Sequence, residues 1–241
     1  RKLIPSIRDK KLIVFDVDGT LTPSKSVMDP MMRKLFIQLL QCKMVAAIGG
    51  GKYELFREQF LGQMPRRGDF LKNLFLFPTS STAFYRFVRG DWRNVYSKNL
   101  SIQERKKIVD AFREAFREIG YSHPHRTYGR VLEDRVTQIT FSALGQDIVR
   151  VLGKRGIRLK EEWGRTPWRE KIARSLKKLL PGFEVRRGGL TSIDVTRKGI
   201  DKAYGIRQIE KALKISRRDM LFVGDAIFPG GNDYAVVRAG V

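Results

Sequence analysis

Leu12-Ile13-Val14-Phe15-Asp16-Val17-Asp18-Gly19-Thr20-Leu21-Thr22 is the stretch on which the fold turns. Its first four residues are apolar, with β-branched and aromatic types, and read as a buried strand. The strand runs into two carboxylates one residue apart, then a glycine suited to a tight turn. Strand side chains alternate, so Asp16 and Asp18 share a face if the strand continues and stay close if it turns. Acids at the carboxyl end of a buried strand stand where open α/β sheets bind ligands. The two charges repel, and a hard divalent cation with oxygen ligands, typically Mg2+, relieves that repulsion. In isolation, the same residues also suit an ordinary strand followed by a solvated Asp-Gly turn.

The far end of the chain decides between these readings. Met220-Leu221-Phe222-Val223-Gly224-Asp225 is a second apolar strand ending in Gly-Asp, followed by Ala226-Ile227-Phe228-Pro229-Gly230-Gly231-Asn232-Asp233. Asp225, from this second strand end, joins the first pair as an oxygen ligand for Mg2+. With Asp16-x-Asp18-Gly19-Thr20 at one end and Gly224-Asp225…Asn232-Asp233 at the other, the chain resembles the haloacid dehalogenase superfamily.

The alternation between these ends is that of a doubly wound sheet. Apolar Met44-Val45-Ala46-Ala47-Ile48 and Leu74-Phe75-Leu76-Phe77 read as strands, and 30–40 and 53–60 as helices. Met31, Leu35, Phe36 and Leu39 are expected on the buried side of the first helix. After Pro78 the pattern changes. A hairpin arm from Ala83, an amphipathic helix over 102–119, a strand-like stretch over 131–141, a second helix over 168–180 and a strand from Phe183 suggest an α+β insertion. The expected fold class is therefore α/β: a Rossmann-like core with a parallel sheet, interrupted by an α+β cap. The expected division is core over 1–82, cap over 83–187 and core again over 188–241.

Composition narrows the classes. The 241 residues are 42% hydrophobic and 30% charged, enough for a sizeable core. No apolar run reaches the eighteen or so residues of a membrane span, and Arg1-Lys2-Leu3-Ile4-Pro5 has no signal-peptide pattern. The absence of an initiator Met suggests a processed or trimmed chain, and the cytoplasm is the expected compartment. The single cysteine, Cys42, cannot form an internal disulfide and is expected to be buried among Leu39, Leu40, Met44 and Val45. A doubly wound core usually continues past its Gly-Asp motif, so the gene product is expected to run beyond Val241 with a strand and a final helix.

The formal net charge of +23 points to an anionic partner, either a polyanion such as nucleic acid or a phosphorylated substrate drawn to a basic cleft. The basic residues are dispersed and often interleaved with acids, as in Gln103-Glu104-Arg105-Lys106-Lys107, which fits a solvated helix face. One functional alternative is thus a basic polyanion- or nucleic-acid-binding protein on the same fold without turnover. The intact set Asp16, Asp18, Lys202 and Asp225 argues against it, and nucleic acid and membranes are not the expected partners.

A closer resemblance is to the C2-capped, type IIB, phosphomannomutase-like branch. It rests on Gly188-Gly189-Leu190-Thr191-Ser192-Ile193-Asp194-Val195-Thr196, on Lys198-Gly199-Ile200-Asp201-Lys202, and on Pro229-Gly230-Gly231-Asn232-Asp233. The resemblance implies Mg2+-dependent phosphoryl transfer on a sugar phosphate, as hexose 1-/6-phosphate interconversion or hydrolysis. A hexose 1,6-bisphosphate is the implied activator, and a homodimer through the cap is the implied assembly. Asp16 is the implied nucleophile, Asp18 the general acid and base, and Lys202 the fixed positive charge beside them, with Lys198 its rival. Asp16, the main-chain carbonyl of Asp18 and Asp225 are the implied metal ligands. Thr22, Lys25, Gly49, Gly50, Arg135, Ser192 and Asp194 are the implied substrate contacts.

Three departures bear on this chemistry. Gly49 stands where many members carry Ser or Thr, so backbone amides must hold the phosphoryl group. Lys25 replaces an arginine and loses its bidentate grip. Gln146 and Gly153 replace two of the cap arginines that grip a distal phosphate, with Arg150, Lys154 and Arg155 nearby. His123 and His125 read as turn residues beside Pro124.

Overall fold

The computed structural model describes residues 7–65 and 69–241; the terminus Arg1 to Pro5 lies outside them. The chain runs through β1 (Leu12–Asp16), α1 (Pro30–Cys42), β2 (Met44–Ile48), α2 (Tyr53–Gln59), β3 (Leu74–Phe77), a one-turn segment α3 (Pro78–Ser81), β4 (Ala83–Val88) and β5 (Asp91–Ser97). It continues with α4 (Ile102–Glu118), β6 (Leu132–Asp134), β7 (Ile139–Ser142), α5 (Ile148–Leu152), α6 (Lys154–Gly164), α7 (Trp168–Leu179), β8 (Phe183–Gly188) and β9 (Ser192–Arg197). It closes with α8 (Lys202–Leu213), β10 (Met220–Val223) and α9 (Tyr234–Arg238). Two compact units result.

The first unit is built on a six-stranded sheet of order β10-β1-β2-β3-β4-β5. The four strands from β10 to β3 are parallel, with Leu12 beside both Met44 and Met220. Parallel neighbours need crossovers, and helices supply them on both faces. One face buries Leu12, Val14, Ile48, Phe77, Phe84 and Ile206; the other buries Val17, Phe36, Leu40, Val45, Phe56 and Phe60.

Helix α1 starts where its sequence says it should. The Asp29 side chain accepts from the Met31 and Met32 amides, and Pro30 occupies the first turn. Its buried residues are Phe36 and Leu40, whereas Met31 and Leu35 are 63% and 53% exposed, contrary to expectation. Each helical step turns about 100°. Met31 and Leu35 therefore sit one step off the Phe36–Leu40 stripe, towards water. Cys42, two steps past Leu40, is exposed as well, with its Sγ against the Gln38 and Leu39 carbonyls.

The second unit comprises Ser24–Ser26 and Lys98–Ile200. Its antiparallel sheet has the order β6-β7-β9-β8. Helices α4 and α7 close over a core of Ile108, Phe112, Phe141, Ile172, Leu176, Ile193 and Val195. The boundaries differ from the expected 83–187 at both ends. β4 pairs antiparallel with β3, and Phe84 stacks on Phe77 at 4.5 Å, so the hairpin after Pro78 extends the first sheet. At the other end β9 pairs with β7, Ile139 opposite Val195, so its apolar side chains fill the second core. The strand expected over 131–141 is two strands instead. Val136 breaks the run at φ 65°, with its amide donating to Asp134 Oδ1 at 2.8 Å. Helix α6, rich in charge, was not legible as an element.

A capping box secures α4. Ser101 accepts from the Glu104 amide, and Glu104 accepts from the Ser101 amide. Glu104 is also held by Arg197 at 2.7 Å, and this guanidinium, followed by the Ser101 amide, lowers its carboxyl from 4.5 to about 2. A depressed folded value contributes stability above pH 4.5 that is lost as pH falls towards 2. Glu104→Gln should lower stability at neutral pH and flatten its pH dependence in that window, as measured by urea unfolding at stepped pH.

Candidate active site

Asp16 ends β1 and Asp225 lies two residues past the end of β10, so adjacent parallel strands deliver both acids to one edge. Lys202 opens α8, whose first turn is fixed by Asp201 accepting from the Tyr204 amide at 2.8 Å. A cation at a helix N-terminus is disfavoured by the helix dipole and must be held by acids. Lys202 Nζ donates to both Asp16 Oδ1 and Asp233 Oδ1, and all three side chains are at most 5% exposed. Asp233 also accepts from the Ala226 amide at 3.0 Å. Lys198, the rival, is in the second unit, with its Nζ 3.5 Å from the Pro181 carbonyl.

Asp233 belongs to the last motif but is no expected site residue, and the structure buries it fully. Asp16, Asp225 and Asp233 each bring a carboxylate oxygen within 4.8 Å of the others. Three carboxylates against one ammonium leave excess negative charge, and an all-oxygen donor set of this kind suits a hard divalent cation such as Mg2+. Burial pushes the Asp16 carboxyl up to about 6, with Lys202 opposing the rise. Burial, then the neighbouring Asp233, raises Asp225 as well. Lys202 loses hydration, yet its two acids outweigh that loss and raise its pKa.

Asp18 has a separate support. Its Oδ1 accepts from Gln59 Nε2 at 2.8 Å, and the same amide donates to Thr22 Oγ1 at 2.9 Å. Gln59 is 2% exposed at the end of α2 and so ties Asp18 to Thr22. A single glutamine in an amphipathic helix carries no signal that could have singled it out. Gly19 takes φ +95°, and a Cβ there would overlap Asp225 Oδ2.

Gly49 and Gly50 follow β2 directly. A Cβ at Gly49 would lie 3.1 Å from Val17 Cγ2 and 3.2 Å from the Phe56 ring, so a side chain there would need these neighbours to give by a few tenths of an ångström. The loop is braced by the segment after β3. The Thr79 amide donates to the Gly51 carbonyl and the Ser80 amide to the Gly49 carbonyl, both at 2.8 Å. Thr79, Ser80 and Ser81 are all left-handed, a conformation costing roughly 1–2 kcal/mol for each non-glycine residue. Fixing the Gly49 carbonyl turns the Gly50 amide, antiparallel to it across a trans peptide, the other way.

The remaining substrate candidates gather within the second unit. Lys25 Nζ donates to Gln146 Oε1 at 2.6 Å, and Arg135 Nη2 reaches the same oxygen at 3.2 Å. Arg135 is itself paired with Glu133 at 2.7 Å, both largely buried. The Gln146 Nε2 is buried without a partner. On β9, Asp194 accepts from Thr140 Oγ1 at 2.8 Å, and burial raises its pKa against the pull of Arg135. Ser192 stands two residues earlier on the same face. Arg150, Lys154 and Arg155 are exposed, and Arg150 pairs with Asp147 at 3.2 Å. His123 packs edge-on against Phe116 and Tyr121, and burial lowers its pKa.

Known proteins resemble this chain in sequence and in fold. A family model described as eukaryotic phosphomannomutase matches residues 32–239. The chain is 28% identical over 245 residues to a phosphomannomutase of Encephalitozoon cuniculi (strain GB-M1), covering 95% of this chain and 85% of that one. It is 27% identical over 233 residues to phosphomannomutase 1 of Homo sapiens, covering 95% and 84%. Among solved structures, it superposes on an IMP-bound, N-terminally truncated IMP-nucleotidase of Plasmodium falciparum with TM-score 0.65 and 15% identity, over 93% of this chain but only 61% of that one. The C-terminal domain of C. albicans trehalose-6-phosphate phosphatase gives TM-score 0.62 at 18% identity, over 97% and 75%. At these identities, the two structures speak for the fold alone.

Proposed function

We propose that this chain, which belongs to the eukaryotic phosphomannomutase family, transfers the phosphoryl group of a sugar phosphate through a phosphorylated Asp16. The observation that carries the proposal is a buried Asp16 held by the Lys202 ammonium at the carboxyl end of β1. A nucleophilic carboxylate divides one difficult displacement into two easier ones. Asp16 attacks phosphorus in line and the sugar oxygen departs, taking its proton from Asp18. Asp18 then removes a proton from the incoming acceptor, and Asp16 is released. Gln59 keeps Asp18 aimed while this happens. Lys202 supplies charge that needs no reorganisation. Asp16, the Asp18 carbonyl and Asp225 are proposed to hold Mg2+, which supplies charge neutralisation on the phosphoryl oxygens when bound. Thr22, Gly49 and Gly50 are proposed to contact the phosphoryl group, and Lys25, Arg135, Ser192 and Asp194 the rest of the substrate.

The acceptor distinguishes two outcomes. Interconversion of hexose 1- and 6-phosphates, with hexose 1,6-bisphosphate as activator, follows the family. Hydrolysis is favoured by one observation: Arg135 is already neutralised by Glu133, and Gln146 adds no charge to hold a second phosphate. The test is phosphate release from hexose 1- and 6-phosphates with and without the bisphosphate, alongside an isomerisation assay, in the parent and in Arg135→Ala. Loss of both reactions on chelating Mg2+ is expected. Arg135→Ala should weaken isomerisation more than hydrolysis, and robust isomerisation unaffected by that change would rule out the assigned substrate contacts.

A further inference from the structure

Gln146 closes the point at which two cations of the second unit converge. Lys25 Nζ donates to its Oε1 at 2.6 Å and Arg135 Nη2 at 3.2 Å, and Lys25 also donates to its main-chain carbonyl at 3.1 Å. Lysine and arginine are donors only, so the atom they share must be the amide oxygen. The other end of the amide is then fixed as an NH2 donor. That Nε2 is buried and has no hydrogen-bond partner. Buried polar atoms are nearly always paired, and an unmet donor is expensive to keep.

The backbone that carries this side chain is held as well. The Gln146 amide donates to the Arg130 carbonyl at 3.1 Å and the Asp147 amide to the Tyr128 carbonyl at 2.8 Å. Gly145 precedes them at φ +86°, where a Cβ would overlap the Tyr128 carbonyl oxygen. The donor is therefore in place before any ligand arrives, which spares the cost of ordering it on binding. Acids engage the same cations. Glu133 pairs with Arg135 at 2.7 Å, and the Asp194 carboxylate lies in the field of Arg135, Arg186 and Lys25.

We infer that Gln146 makes this a subsite for an uncharged oxygen of the substrate, a sugar hydroxyl or ring oxygen, and keeps a second phosphate out of it. The inference rests on the sugar-phosphate reading above and narrows it to monophosphates. Two converging cations are what a phosphate oxygen seeks, and here the chain's own amide oxygen already stands between them. What remains for a ligand is one neutral donor, which a hydroxyl or ether oxygen satisfies without bringing charge. A phosphate could accept from the same NH2, but its charge would be buried against cations already engaged. A site built around such a donor rejects a ligand that leaves it unmet.

The test measures binding of glucose 6-phosphate and glucose 1,6-bisphosphate by titration calorimetry in the parent, Gln146→Glu and Gln146→Ala. The parent should bind the monophosphate more tightly than the bisphosphate. Gln146→Glu keeps an oxygen between the cations but replaces the NH2 by a second oxygen. It should weaken the monophosphate roughly tenfold, the worth of one hydrogen bond, without lowering the melting temperature. Gln146→Ala removes the oxygen from between the cations and should bind the bisphosphate about tenfold more tightly than the parent does, as hydrogen bonds to charged groups allow. Phosphate release from hexose phosphates by the parent is assayed alongside. Failure of the broader reading then shows as no turnover of any of them, and failure of this one as a wrong order of binding. Unaltered monophosphate binding in Gln146→Glu would leave the amide a partner for water only. A parent that prefers the bisphosphate or binds neither ligand, or a Gln146→Ala variant that gains nothing for the bisphosphate, would equally overturn the assignment.

Discussion

Asp16→Asn should reduce turnover of any sugar phosphate by roughly four orders of magnitude or more, because an amide cannot serve as the nucleophile. The fold should survive. Asparagine has nearly the volume of aspartate, its carbonyl can still accept from Lys202, and Lys202 keeps Asp233 as counterion. The control is a circular dichroism spectrum matching the parent. Asp18→Asn should be impaired by about 10²–10⁴-fold, the usual worth of general acid–base help. The two variants separate further in kind. Only the parent and Asp18→Asn can still form the phosphoenzyme, so acid-quenched labelling with a radioactive phosphoryl donor should mark them and leave Asp16→Asn blank. Near-parental activity in Asp16→Asn would remove the proposed covalent route.

Lys202→Met should be damaging in a different way. It keeps the length of the side chain but leaves Asp16 and Asp233 buried side by side without their cation. Removing one partner of a buried ion pair typically costs about 3–5 kcal/mol. Urea unfolding should show a fall of this size, and turnover should be lost with it. Adding Asp233→Asn to Lys202→Met should restore part of the stability, since one stranded charge is gone, but none of the activity. A fall below about 1 kcal/mol in the single variant would mean that the buried acids do not rely on Lys202 for their charge.

The outline of the core was legible because its strands obey local rules. Leu12 to Phe15 and Met44 to Ile48 are continuous apolar runs, as strands buried on both faces must be, and Met220 to Val223 keeps the same run although it lies at the sheet edge. Asp16, Asp18 and Asp225 could be seen because they break such runs at their carboxyl ends. Asp233 and Gln59 could not be read off in this way. Asp233 becomes a site residue only when the loop after β10 folds back onto Lys202, and Gln59 only when α2 packs beside Asp18. Register explains the misplaced boundaries. Nothing in Ala83 to Val88 says which sheet it will join, and the alternation of Ile193 and Val195 fits a strand in either unit. The exposure of Met31, Leu35 and Cys42 had a similar source, because choosing the buried stripe of α1 requires knowing its rotation on the sheet.

The pairing of β1 with β10 also sets the order in which the protein can be made. Leu12 and Met220 are neighbours across some two hundred residues of chain. Pairings of that separation form slowly, because the loop must close before any contact rewards it. The unit spanning Lys98–Ile200 has its own core and can fold while the chain is still being synthesised. Once folded it removes about half of the open loop, easing closure by roughly 0.6 kcal/mol. Lys202, Asp225 and Asp233 all lie beyond that unit, so Asp16 waits without its counter-charge until the chain after Ile200 arrives. Closure of the sheet and completion of the buried charge cluster around Asp16 are therefore one event.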